Sequence, residues 1–340
     1  MQIRLPAEWE PQDGVLLAWP HEKSDWADTL ESVTATYCEL VRAIVAYEQV
    51  VIIAPDTTRV AADLDQAGVE RSRVWLVTVD TNDTWVRDYG PITIYLNNQP
   101  VLLDFGFNGW GLKFAADRDN QATRSLKQEG VLLPHINTIG LVLEGGSIES
   151  DGCGTVMTTT RCLLSPNRNP QLDQHEIEGA LANLLGAARV HWLSAGELLG
   201  DDTDAHIDTL ARLCPNNTIV YITCDDQNDP HYEPLAAMQA QLQGLTTATG
   251  EPYRLLGLPW PSPRFAADGH RLPASYANYL VINGAVLVPT YNDPVDNGAL
   301  AMIALAYPDR TIIGIDCSSL IAQHGSLHCI TMQLPKGVLA

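Results

Sequence analysis

The feature that most constrains this chain is a recurrence. A short apolar strand, a polar loop, a segment of helical period and another strand follow one another several times along 340 residues. Such self-similarity marks architectures in which one supersecondary unit cannot bury its apolar face alone and packs on its neighbour. GVLLAWP (14–20) reads as a buried strand ended by proline. Residues 28–46 then set Leu30, Val33, Tyr37, Leu40, Val41, Ile44 and Val45 at helical spacing, and QVVIIAP (49–55) returns to strand.

Four hairpins are predicted further along. They join 92–96 to 101–105 across Asn97-Asn98-Gln99-Pro100, and 146–150 to 155–159 across Asp151-Gly152. They also join 209–214 to 218–223, and 279–282 to 285–289 across Asn283-Gly284. Each is followed by a helix, near 119–128, 173–186, 232–243 and 297–306 respectively. A further strand then follows: GVLLPHI (130–136), ARVHWL (188–193), YRLLGLPW (253–260) and TIIGID (311–316). CITMQL (329–334) and GVLLAWP are left without partners, so the economical solution pairs the two chain ends. The expected class is α/β: five units in a pseudo-symmetric α/β propeller, closed by the N- and C-terminal strands and leaving no edge exposed. It would form one catalytic domain over 1–340. An open two-domain α/β sheet is the competing arrangement, and no low-complexity linker supports it.

Hydrophobic residues at 46% and charged residues at 18% describe a chain with a large core. The net charge of −21, from 20 basic and 41 acidic residues, argues against nucleic acid and suits a cationic ligand. The seven cysteines, at 38, 153, 162, 214, 224, 317 and 329, form no CxxC pair or zinc spacing. With no apolar leader segment and no apolar run of membrane length, the expectation is a reduced, cytoplasmic protein with no membrane partner. Homo-oligomerisation is left open.

The polar residues fall at equivalent points of the units. TNDTWVRDYGP (81–91), LEGGS (143–147) and DDTDAHIDTL (201–210) each lead into a hairpin, and Cys329 begins the last strand. In a ring these points face one axis, so Asp88, Glu144, His206, Asp208 and Cys329 are predicted to converge. Blander readings stand beside this one. Cys329 alone is a packed thiol, and Asp83 and Asp88 are turn formers before Gly90-Pro91. Glu144-Gly145-Gly146 is a bulge, and His206-Ile207-Asp208 is the wet face of a strand or half of a metal site. Together the five make a nucleophilic site. A thiol surrounded by acids is a poor thiolate unless the substrate itself brings positive charge. A guanidinium does so, and it matches carboxylates in bidentate pairs.

NDTWVRDYGP, FNGWGLKF, LEGGSIE, TDAHIDTLARL, YANYLVINGAVLVPTYNDPVD and HCITMQ, in this order from residue 8 to the end, resemble the agmatine deiminases of the bacterial peptidyl-arginine deiminase-type group. The resemblance implies a pentein fold (five α/β blades), no cofactor, and hydrolysis of agmatine to N-carbamoylputrescine and ammonia in polyamine biosynthesis. Carried over, Cys329 is similar to the family nucleophile and His206 to the general acid/base. Asp88 and Asp208 resemble the guanidinium clamp, and Glu144 the acid that orients the histidine. Trp85 resembles the aromatic cover of the substrate, with Asp83 beside it. Two departures, HGSLHC before the thiol and a short FNGWGLKFAADRD loop, lie near the expected entrance and bear on the substrate tail. Another guanidine (free or peptidyl arginine), metal-dependent hydrolysis and a non-catalytic binding module are the alternatives.

Overall fold

A computed structural model describes residues 2–340. Five sheets of three or four strands make up a mixed α/β fold, with a small extra hairpin, Arg264–Phe265 with Arg271–Leu272. The first sheet runs Thr331–Pro335, Gln12–Ala18, Gln49–Ala54, Val74–Thr78. The second runs Ile3–Arg4, Ile92–Leu96, Gln99–Gly106, Ile136–Val142. The remaining three are Glu149–Ser150, Thr155–Thr159, Arg189–Leu193; Ala211–Cys214, Thr218–Ile222, Arg254–Leu258; and Leu280–Ile282, Ala285–Thr290, Thr311–Asp316.

All five share one construction. An antiparallel pair is extended by a parallel strand, and parallel neighbours require a crossover. Helices Leu30–Val45, Ala122–Gln128, Gln174–Leu185, Tyr232–Gln243 and Asp296–Ala306 provide it. The first antiparallel pair comes from the two chain ends, Thr331 opposite Leu17 and Leu334 opposite Gly14. No sheet among the described residues closes on itself. Strands buried on both faces carry continuous apolar runs, as Val15–Leu16–Leu17–Ala18 and Val50–Val51–Ile52–Ile53 do, and this accounts for the fully apolar patterns in the sequence.

Several expectations are corrected. The strand predicted at 130–136 lies at Ile136–Val142 instead. Pro134 cannot donate to a ladder, and Val131 and Leu132 are buried as loop residues. The first hairpin turns on two residues, Asn97 and Asn98, both left-handed, with Leu96 opposite Gln99. The second turns on Gly152-Cys153-Gly154 rather than Asp151-Gly152, because Asp151 N–H donates to the Thr155 carbonyl. Residues 145–147 form a 3₁₀ turn and not a strand. His206-Ile207-Asp208 is likewise no strand: His206 precedes a 3₁₀ turn over Ile207–Thr209. Cys329 does not begin the last strand but sits in the turn before it, with Thr331 as the first strand residue. Helix Thr57–Gln66 and strand Val74–Thr78 escaped the sequence reading, although Asp56 caps the helix by accepting from the Thr58 and Arg59 N–H groups.

No helix among the described residues is long and apolar enough to cross a membrane.

Candidate active site

Each polar residue singled out in the sequence stands on a short turn just before the first strand of a pair. Such turns can aim a side chain where a strand's alternation cannot. Asp88 lies in the single helical turn Val86–Tyr89, Glu144 before the 145–147 turn, and Asp208 within the 207–209 turn. All three turns come together at Gly146. A Cβ there would meet His206 Nδ1 at 2.7 Å, Asp88 Oδ1 at 2.9 Å and Asp208 Oδ2 at 3.0 Å. Only glycine lets the backbone approach these groups so closely, and its own N–H donates to Asp88 Oδ1 at 2.9 Å.

Asp88 is buried and held at both oxygens, since Trp110 Nε1 donates to its Oδ2 at 2.9 Å. Burial pushes its pKa up, against the opposing charge of His206. Burial also disfavours ionised Glu144, but the His206 bond at 2.9 Å and the Arg168 Nε–H bonds at 2.8 and 3.0 Å outweigh it and draw the carboxyl down. For His206 burial again works against charge, yet Asp88 and Glu144 raise its pKa well above the usual value. Its Nε2 is engaged by Glu144, while Nδ1 is buried, without a hydrogen-bond partner and 3.6 Å from Asp88. Nδ1 is therefore the nitrogen left for a ligand.

Asp208 repeats the pattern. Its Oδ2 accepts from His328 Nδ1 at 2.7 Å, which lowers its pKa against the cost of burial, and Oδ1 has no partner. Cys329 is buried, and its thiol donates to Asn278 Oδ1 at 3.3 Å. Burial, then Asp208 and Asp88, push its pKa well above that of an ordinary thiol. At rest this is a neutral thiol facing two carboxylates.

Asp88, Cys329, Trp85, Asp83 and Thr209 line one cleft of about 1330 Å³, counting its open mouth. Trp85 packs on Trp26 with ring centroids 5.6 Å apart, and Gly325 lies so close to its indole that a Cβ would come within 2.1 Å. It is thus both core and cleft wall. Asp83 accepts from the Thr84 N–H, and burial raises its pKa to about 6.

Sequence reading missed four residues here. Trp110 was visible in FNGWGLKF; it takes a left-handed backbone, φ 55°, to reach Asp88. Such conformations cost about 1–3 kcal/mol and gather at functional sites. Asn278 anchors the Cys329 turn through the backbone N–H groups of His328 and Cys329. Arg168 buttresses Glu144, and His328 holds Asp208. Arg168 and Asn278 have no signal of their own in a single sequence, and His328 shows only in flanking the thiol.

Among the described residues, two groups of three side chains have metal-ligand proximity: Glu144, Cys162 and His206, and Glu8, Glu149 and His328. Each is already served by a cation. Arg168 occupies Glu144, and Arg212 lies between Glu8 and Glu149. Neither set includes Cys329.

Comparison with known proteins comes to the same place. The Porphyromonas-type peptidyl-arginine deiminase family matches residues 4–335. The agmatine deiminase of Stutzerimonas stutzeri is 32% identical over 97% of this chain and 95% of its own. That of Pseudomonas putida is 33% identical over 99% and 96%. Among solved structures, a C. jejuni agmatine deiminase with one cysteine replaced by serine and substrate bound is 38% identical, with a TM-score of 0.92 over 99% of this chain and 97% of that one. A Porphyromonas gingivalis structure described provisionally as an arginine deiminase is 44% identical, with a TM-score of 0.94 over the full length of both.

Proposed function

The chain belongs to the Porphyromonas-type peptidyl-arginine deiminase family, and from that premise we propose that it is an agmatine deiminase. It is a hydrolase of guanidino C–N bonds, releasing ammonia and N-carbamoylputrescine, the step that leads toward putrescine. The observation that carries the choice of substrate is the charge of the cleft. Beyond the clamp, Asp25, Asp83, Asp117, Asp119, Asp201 and Asp202 line it against Lys23 and Arg118 alone. Agmatine ends in an amine and arginine adds a carboxylate, so an acid-lined cleft favours the former. Arg87 and Arg161, two basic residues near the motifs, bond to Gln333 and Glu197 respectively.

In this reading the five sheets are the blades of a pentein propeller, the whole chain is one catalytic domain, and Asp88 and Asp208 take the guanidinium. Asp208 Oδ1 is free for it, and both carboxylates hold the central carbon before Cys329. The cation offsets the two acids that keep the thiol neutral, and its proton leaves to solvent. The thiolate adds to the guanidinium carbon. His206, already cationic, donates from Nδ1 to the departing nitrogen, and ammonia leaves. A positively charged amidino-thioether remains between the carboxylates. His206, now neutral and held by Glu144, takes a proton from water. The resulting hydroxide adds to the carbon, the carbon–sulfur bond breaks, the second water proton goes to solvent, and the ureido product departs. Trp85 covers the substrate, with Asp83 beside it. The steps need no cofactor; the seven free cysteines support a cytoplasmic enzyme, and the net charge of −21 supports a small cation rather than nucleic acid or membrane as its ligand.

Ammonia release from agmatine, free arginine and a peptidyl-arginine, compared on one preparation, tests the reading. Agmatine is expected to be turned over fastest. Preference for free arginine would overturn the substrate assignment and leave the deiminase chemistry standing.

A further inference from the structure

The loop that carries Trp110 is wound against the preference of L-residues. Gly109, Trp110, Gly111 and Leu112 are left-handed in succession, with φ of 70°, 55°, 82° and 68°. They make one left-handed turn, in which the Leu112 and Lys113 N–H groups donate to the Asn108 and Gly109 carbonyls, both at 3.0 Å. The side chains of Trp110 and Leu112 disfavour this winding, and Leu112, 76% exposed, offsets little of the cost by burial. Such a turn persists only where its surroundings over-determine it. Trp110 is seated edge-to-face on Phe107, with ring centroids 5.0 Å apart. The other support lies outside the segment.

It reaches two neighbouring loops. Asn108 Nδ2 donates to the Asn167 carbonyl at 2.8 Å. Lys113 Nζ donates to the Asp202 carbonyl and to Asp204 Oδ1, both at 2.7 Å. Asp204 is itself left-handed, φ 67°, as is Ala205 after it, φ 64°. Its second oxygen, Oδ2, accepts from Arg168 Nη1 at 2.6 Å, and Arg168 Nη2 donates to the Thr203 carbonyl at 2.8 Å. One carboxylate therefore joins the turn whose indole holds Asp88 to the guanidinium that holds Glu144. A Cβ on Gly111 would meet Arg168 Nη1 at 3.7 Å and Asp204 Oδ2 at 3.9 Å, so the turn also lies directly against this pair.

We propose that Lys113 and Asp204 are positioning residues, a clasp that keeps Trp110 on Asp88 and Arg168 on Glu144 in register across the site. Neither residue lines the cleft, and their side chains are partly exposed. An exposed ion pair alone is worth little. Here the ammonium also meets a backbone carbonyl and the carboxylate also meets a buried guanidinium, so three loops share one pair. Charge acting at a distance predicts the opposite of a clasp: removing a cation near an acid-lined cleft would favour a cationic substrate. The effect on turnover rests on the agmatine reading; the clasp itself does not.

The test has two arms. In hydrogen exchange followed by mass spectrometry, Lys113→Met is expected to speed exchange across residues 109–114 about tenfold, through loss of its charge-assisted bonds. Exchange at the wild-type rate overturns the clasp, and this arm needs no substrate. In agmatine turnover, Lys113→Met is expected to lower kcat/KM about tenfold, mostly through kcat, and Trp110→Phe by at least as much. The double variant is expected to be no slower than Trp110→Phe alone, since both act through one bond to Asp88. Additive losses, a loss confined to KM, or a gain overturn the positioning role. Asp204→Asn, with asparagine tolerating the same backbone, should lose more than Lys113→Met because it also loosens Arg168. An equal or smaller loss removes Asp204 from the link. Absent agmatine turnover by the wild type sinks the substrate assignment, while exchange still reads the clasp.

Discussion

Two clusters of buried charge lie back to back in this protein, joined by one side chain. On the far side from the cleft, Arg212 is fully satisfied. It bonds to Glu8 and Glu149 and to the carbonyls of Ala277 and Tyr279, with its guanidinium 4.5 Å from the centre of the Tyr279 ring. On the cleft side the groups are equally buried, yet Asp208 Oδ1 and His206 Nδ1 have no partner, and Asp88 and Asp208 both face a thiol. His328 spans the two, Nδ1 toward Asp208 and Nε2 toward Glu8 at 2.8 Å. Burial therefore does not separate the structural charges from the functional ones. Completeness does: one cluster has its counterion built in, and the other leaves Asp208 Oδ1 and His206 Nδ1 open.

The largest expected effect removes the reacting atom. Cys329→Ser brings ammonia release to background, and in the wild type, acid quenching traps an amidino adduct on Cys329 detectable by mass spectrometry. Wild-type-like turnover in the variant would defeat the nucleophile assignment. On the completed side, Arg212→Met leaves Glu8 and Glu149 buried without their cation and is expected to cost about 3–5 kcal/mol in urea unfolding. A loss below ~1 kcal/mol would break the contrast.

Asp208→Asn is the converse on the open side. It should lower kcat/KM by ~10²–10³-fold, as for loss of one preorganised electrostatic contact, while unfolding free energy changes little. A loss of stability comparable to that of Arg212→Met would show that Asp208 belongs with the structural charges.

The smallest effect is a pH dependence. Burial raises the carboxyls of Asp83 and Asp119 at the cleft wall to about 6 and about 7. Both ionise as pH rises through that window, so KM for agmatine is expected to fall several-fold from about pH 5.5 to about 7.5. Since both folded pKa values lie above that of an unfolded aspartate, the same ionisation removes stability: the contribution is complete below pH ~4 and lost through about pH 6 to 7. A KM flat across the window, or unchanged in slope by Asp83→Asn, would take Asp83 out of the substrate path.

The sequence carried the repeat and the five convergent residues because both are written in period and position. The hairpins at Asn97-Asn98 and Asn283-Gly284 show in residues that tolerate left-handed backbone, and GVLLAWP and CITMQL were left over until paired with each other. What stayed hidden was local. The turns that present His206, Asp208 and Cys329 read as strand because apolar neighbours continue into real strands a residue or two later. Trp110 looks like core until its φ is known. Arg168 and Asn278 act through residues more than twenty positions away, and pairing at that distance leaves no trace in one sequence.

The strand behind Cys329 pairs with a strand more than three hundred residues earlier. Loop-closure entropy must be met before so distant a contact is rewarded, and folds rich in such contacts assemble slowly. The turn carrying the thiol is fixed from one side by Asn278 and from the other by this last pairing, so Cys329 acquires its surroundings only once that distant contact has formed. Until then Cys329 is an ordinary accessible thiol, without burial or carboxylates to keep it neutral. Its chemical vulnerability is therefore greatest in the newly made chain: the same cage that waits for a guanidinium also ends the period in which an oxidant or alkylating agent reaches the sulfur freely.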